Sequence, residues 1–67
     1  MIPQPGQRIR LTELAPVSRQ FLGSAATVVR VLGNSVILNV EGHGAAIVHR
    51  GWGTKRNPGD LKFEIVA

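Results

Sequence analysis

The segment Arg50-Gly51-Trp52-Gly53-Thr54-Lys55-Arg56-Asn57 gathers three of the chain's eight cations and its only tryptophan. Cations neutralise phosphates and release condensed counterions, and an aromatic face stacks on a nucleobase. The glycines flanking Trp52 let backbone approach a ligand closely. These residue types together point to nucleic acid, with Arg50, Trp52, Lys55 and Arg56 as the expected contact. A second physical role is open for the same residues. Trp52 can fold back to cap the end of a small core, leaving Lys55 and Arg56 merely solvated.

Arg8, Arg10 and Arg30 form the other basic set. They are expected on the outward faces of two adjacent strands, with Lys62 beside them, where they would support the loop on phosphates. Outward Arg and Lys also guard strands against pairing with neighbours. The net charge of +4 therefore divides in two: residues 1–31 carry four cations and one anion, and residues 42–62 carry the same. Such a balance favours an acidic partner.

Other chemistry is poorly provided for. There is no Cys and no Tyr, and the only carboxylates are Glu13, Glu41, Asp60 and Glu64. Without Cys there is neither disulfide nor thiolate metal site. His43 and His49 would supply two metal ligands, with only Glu41 near them in sequence, so no metal is expected. General acid–base catalysis needs paired titratable groups in a water-poor pocket. A chain of 67 residues has little room for one, so the expectation is a non-enzyme without cofactor.

The elements that must position these residues read as strands. Eight Gly and four Pro cut the chain into short pieces, and between them apolar residues alternate. Residues 7–14 place Ile9 and Leu11 on one face. In residues 24–32, an outward Arg30 makes Thr27, Val29 and Val31 inward under strict alternation. Gly33-Asn34 follows, suited to the positive-φ conformations of a tight hairpin. Residues 35–41 set Val36, Leu38 and Val40 against Ile37, Asn39 and Glu41. Residues 45–50 are a fourth strand, residues 51–60 an aperiodic loop, and residues 61–66 a last strand with Leu61, Phe63 and Ile65 on one face. Residues 15–23 have room for a turn of helix, with Pro16 early in it.

Five short antiparallel strands in one domain spanning residues 1–67 suit a small closed barrel, because closure hides both sheet edges. The predicted fold is all-β, a five-stranded antiparallel SH3-like barrel. On this reading Val28, Leu32, Ile37, Val48 and Val66 face away from the core. They are either an apolar patch for a partner or residues buried where strands bend between faces.

Gly6-Gln7-Arg8-Ile9-Arg10-Leu11, Gly23-Ser24-Ala25-Ala26-Thr27-Val28-Val29-Arg30-Val31 and the arm from Gly33-Asn34 to Val40 carry a resemblance. Residues 6–42 resemble a KOW-type SH3-like module of ribosomal proteins and transcription elongation factors. The resemblance implies a non-catalytic module that binds RNA, DNA or a protein partner through its loops.

Two functions follow as expectations. The first is a basic module binding nucleic acid through the Trp52 loop and the Arg face. The second is a protein-interaction adaptor, of the compact kind phages and mobile elements encode, working through the apolar set or as a homo-oligomer. No apolar run approaches the ~20 residues of a membrane helix, and no basic–apolar–small leader opens the chain. A cytoplasmic protein without membrane contact is expected.

Overall fold

The computed structural model describes residues 2–66. Seven strands follow one another: β1 (Arg8–Glu13), β2 (Ala25–Val31), β3 (Ser35–Val40), β4 (Gly44–His49), β5 (Gly51–Gly53), β6 (Pro58–Asp60) and β7 (Lys62–Ile65). A 3-10 helix, Pro16–Phe21, links β1 to β2 and carries its proline in the first turn, as expected. The fold is all-β, and no helix among the described residues is long and apolar enough to cross a membrane.

Five strands form one antiparallel sheet in the order β4-β3-β2-β1-β7, and β5 and β6 pair separately. The expected closed barrel is not what forms, because β4 and β7 remain as the two edges of the sheet. The residue after β4 and the residue before β7 meet at a fork, where the Leu61 amide donates to the Arg50 carbonyl at 2.9 Å. Beyond that bond the chain continues into the β5–β6 hairpin. The loop expected over residues 51–60 is thus largely this hairpin. Its glycines and proline carry no period-two apolar signal, although Trp52 within it packs against the core.

Ile9, Leu11, Val28, Val36, Leu38, Val40 and Val48 are fully buried, joined by Leu14, Ala26 and Leu61. Ile9 and Leu11 on β1 and the triplet Val36, Leu38 and Val40 on β3 are the inward residues that alternation indicates. On β2 the alternation fails. Ala26 and Val28 are buried, while Val29 is 55% exposed. A β-bulge between Val28 and Arg30 inserts Val29 as an extra residue opposite β3. One extra residue reverses the inward phase of everything before it. Val31 therefore keeps its inward position opposite Val36, whereas Thr27 and Val29 turn outward.

The same correction applies to the expected outward apolar set. Val28 and Val48 are core residues, and Leu32, Ile37 and Val66 are half-buried. The β2–β3 hairpin does turn at Gly33-Asn34, with the Leu32 amide donating to the Ser35 carbonyl at 2.8 Å. Neither turn residue has positive φ. The nearby bulge increases local twist, which a positive-φ turn would otherwise supply.

On β7, Leu61 precedes the strand and is buried, Phe63 is half-buried, and Ile65 is 57% exposed. Ile65 lies opposite the fully buried Ile9. It loses cover because β7 is an edge.

Candidate nucleic-acid interface

The β5–β6 hairpin holds the basic loop in a defined shape. Trp52 lies opposite Gly59 in the ladder. It is half-buried and packs against the core. A Cβ on Gly59 would overlap the indole ring, so glycine is what lets the ring lie flat across β6. Gly53 has φ +90°, and a side chain there would also run into the Asn57 carbonyl. The tip closes through the Asn57 amide, which donates to the Thr54 carbonyl at 3.2 Å and to Thr54 Oγ1 at 3.1 Å. Lys55 and Arg56 occupy the two central positions of this turn, both exposed.

Arg50 stands at the base of the hairpin with a structural task. Its Nη1 donates to the Leu32 carbonyl at 3.1 Å and the Gly33 carbonyl at 3.0 Å. Its amide donates to the Asn34 carbonyl at 3.0 Å. A side chain engaged with two carbonyls of the β2–β3 turn is poorly placed to reach a phosphate as well. Of the four expected loop contacts, two sit free at the tip and two support it.

The strand-face set is divided. Arg8 and Arg10 are neighbours on the outer face of β1. Arg8 Nη2 lies 2.9 Å from Glu41 Oε2, and Arg10 Nη1 lies 3.1 Å from Glu64 Oε1. Lys62 Nζ pairs with Glu13 Oε2 at 3.1 Å. These side chains are about half exposed or more, so the pairs contribute little stability. Their effect on the local field is larger, since each cancels a positive charge. Arg30 is exposed and has no ion-pair partner among the described residues. It lies three residues along β2 from Thr27, the residue opposite Arg8, which is about 10 Å at strand rise. The three arginines therefore do not make one phosphate-binding surface.

Among the described residues, the cations outside these pairs are Arg19, Arg30, Arg50, Lys55 and Arg56, and the carboxylate outside them is Asp60. Lys55 and Arg56 are the only two of these adjacent in the chain. An open groove of about 400 Å³ runs beside the fork, lined by Thr12, Asp60, Leu61, Lys62 and Phe63. It holds one carboxylate and no second acid or imidazole to exchange protons with it. His43 packs edge-on against Phe21, with ring centroids 5.3 Å apart, and the described residues contain no cluster of three metal-ligating side chains.

The outer face shows a feature that sequence reading misplaced. Ile47 is 64% exposed and lies opposite Ile37, which in turn lies opposite Arg30 beside the bulged Val29. Val29, Ile37 and Ile47 thus form an apolar strip across three strands. In Ala45-Ala46-Ile47-Val48 two branched residues are adjacent, so alternation alone does not say which is inward. The strict pairing of Val36 with Val48 decides it. Compared with known proteins, the chain matches no family model, no curated protein and no solved structure.

Proposed function

We propose that this protein is a small, non-enzymatic, SH3-like module of the KOW type that binds nucleic acid through the tip of its β5–β6 hairpin. The observation that carries the reading is the pairing pattern of the charges. Three of the eight cations are neutralised on the sheet, while Lys55 and Arg56 stand together, exposed and unpaired, on a hairpin of fixed shape. A meander in which the last strand returns beside the first supports the SH3-like part of the reading.

In this mechanism Lys55 and Arg56 neutralise backbone phosphates and release counterions. Trp52 and Arg50 position the tip from beneath, and the part of the half-buried indole left accessible is available to a base. Arg30 adds a separate, weaker contact, and Arg8 and Arg10 contribute only where a phosphate displaces their carboxylates. Recognition is by charge and shape, because two flexible cations carry no base code. The lack of Cys is compatible with a reducing cytoplasmic setting.

The test is a titration with short single-stranded RNA and DNA over a salt series. Binding should weaken with salt, and the paired Lys55→Ala, Arg56→Ala variant should flatten the log–log slope by about 1.4–1.8, at ~0.7–0.9 per lost contact. Absence of binding at low salt would sink the proposal. The apolar strip of Val29, Ile37 and Ile47 favours a second reading, a protein-contact surface that ends at the β4 edge.

A further inference from the structure

The β4 edge is built differently from β7, the opposite edge of the sheet. Gly44–His49 contains no Asp, Glu, Lys, Arg or Pro. Its six pairs with β3 run without a register shift. The opposite edge, β7, is four residues long, carries Lys62 and Glu64, and abuts a bulge in β1. Charges, shortness and bulges are the devices that prevent edge-to-edge pairing. β7 has all three, and β4 has none.

Hydrogen-bond parity shows what the β4 edge offers. The Leu32 amide bonds the Ser35 carbonyl and the Glu41 amide bonds the Ala25 carbonyl, so odd-numbered residues of β3 face β2. The Arg50 amide bonds the Asn34 carbonyl, so even-numbered ones face β4. Through the β3–β4 register, Gly44, Ala46 and Val48 are engaged with β3. The amides and carbonyls of Ala45, Ile47 and His49 are left pointing outward. Among the described residues β4 pairs with β3 alone, so no second strand takes up these groups.

The geometry points to a second copy of this chain as the occupant of this edge, added antiparallel along Ala45 and Ile47. A two-fold axis through Ala46, perpendicular to the sheet, sets Ala45 of one copy opposite Ile47 of the other. Both residues then lie in hydrogen-bonded pairs, so four backbone bonds satisfy all of their free groups. The side chains match in size: each Ile47 covers the alanine facing it, and Ala46 meets Ala46. His49 stays outside the pairing, beside the fork at Arg50 and Leu61. The same axis keeps both outer faces on one side, so the two strips of Val29, Ile37 and Ile47 join. An unrelated strand would need this pattern of small and branched residues by chance, whereas the chain's own strand supplies it in reverse order.

The interface belongs to the smallest class, so association depends on concentration. Each copy carries +4, so added salt should promote pairing by screening, the reverse of its effect on nucleic-acid binding. That opposite sign, measured without nucleic acid, separates this inference from the function proposed above.

The test is sedimentation velocity from micromolar to about millimolar protein, with amide hydrogen exchange at both ends. Mass should rise toward that of two chains, and Ala45 and Ile47 amides should slow with concentration while Ala46 and Val48 do not change. Ile47→Lys should remain monomeric at every concentration with an unchanged circular dichroism spectrum. Ala45→Pro removes a donor that β3 does not use, and should also abolish pairing. A chain that stays monomeric throughout overturns the inference. So does a dimer that survives both substitutions, or one that leaves Ala45 and Ile47 exchange untouched.

Discussion

The β2–β3–β4 meander and the β5–β6 hairpin are held together by different forces. In the meander, Val28, Val36, Leu38, Val40 and Val48 are fully buried, so burial of aliphatic side chains supplies its stability. In the hairpin no aliphatic side chain is buried. Its shape comes from Gly53, from the indole lying over Gly59, and from the Thr54–Asn57 hydrogen bonds. A region stabilised by burial tolerates little change inside and much outside. A region stabilised by backbone geometry is sensitive at its glycines and indifferent at its tip. This is what frees Lys55 and Arg56 for a ligand.

The sharpest way to break the contrast is to empty the meander. Leu38→Ala should cost ~2–5 kcal/mol. That is comparable to the whole ~3–5 kcal/mol a core this small supplies, so circular dichroism should show a largely unfolded chain at 25 °C. Next in size is Gly59→Val, which places a branched side chain where the indole lies. We expect ~1–3 kcal/mol of destabilisation in urea unfolding and a red-shifted Trp52 emission as the ring is displaced into water. Gly53→Ala should follow at about 1–2 kcal/mol, because alanine there meets both a left-handed backbone and the Asn57 carbonyl.

At the small end, Lys55→Ala with Arg56→Ala should move stability by no more than ~0.5 kcal/mol while reducing nucleic-acid affinity and its salt slope. Arg10→Ala should be similarly neutral for stability, within ~1 kcal/mol, and should change the slope less than either tip residue. If Arg10→Ala weakened binding more than Lys55→Ala, the strand face and not the hairpin would be the contact surface.

Particular residues show why parts of this architecture are legible in sequence. Ile9 and Leu11, and Val36, Leu38 and Val40, alternate with polar neighbours, and local sterics alone send them inward. Gly33-Asn34 marks its hairpin because turns tolerate few side chains. Arg30 gives no such guidance. It does point outward, but the bulge at Val29 breaks the parity that would carry this information back to Thr27 and Val28. Ile47 and Val48 are ambiguous for a related reason, since either could be inward until β3 fixes the register. In the candidate site, the exposure of Lys55 and Arg56 follows from Gly and Asn around them. The engagement of Arg50 with the carbonyls of Leu32 and Gly33 spans 17 to 18 positions and leaves no trace in local composition.

The sequence by itself determined that the chain is all-β, that it has no disulfide, and that its positive charge exceeds its negative charge by four. These are properties of composition and of neighbours two residues apart, where backbone pleat and side-chain type act directly. The tertiary structure decided which charges remain available. Arg8 meets Glu41 and Arg10 meets Glu64 across 33 and 54 positions of chain, and only strand pairing brings such residues within reach. It also decided that the sheet stays open, because β4 and β7 end the strand order without pairing with each other. The same pairing left one edge guarded by charge and the other, along Ala45 and Ile47, with free hydrogen-bonding groups and no charge to defend them.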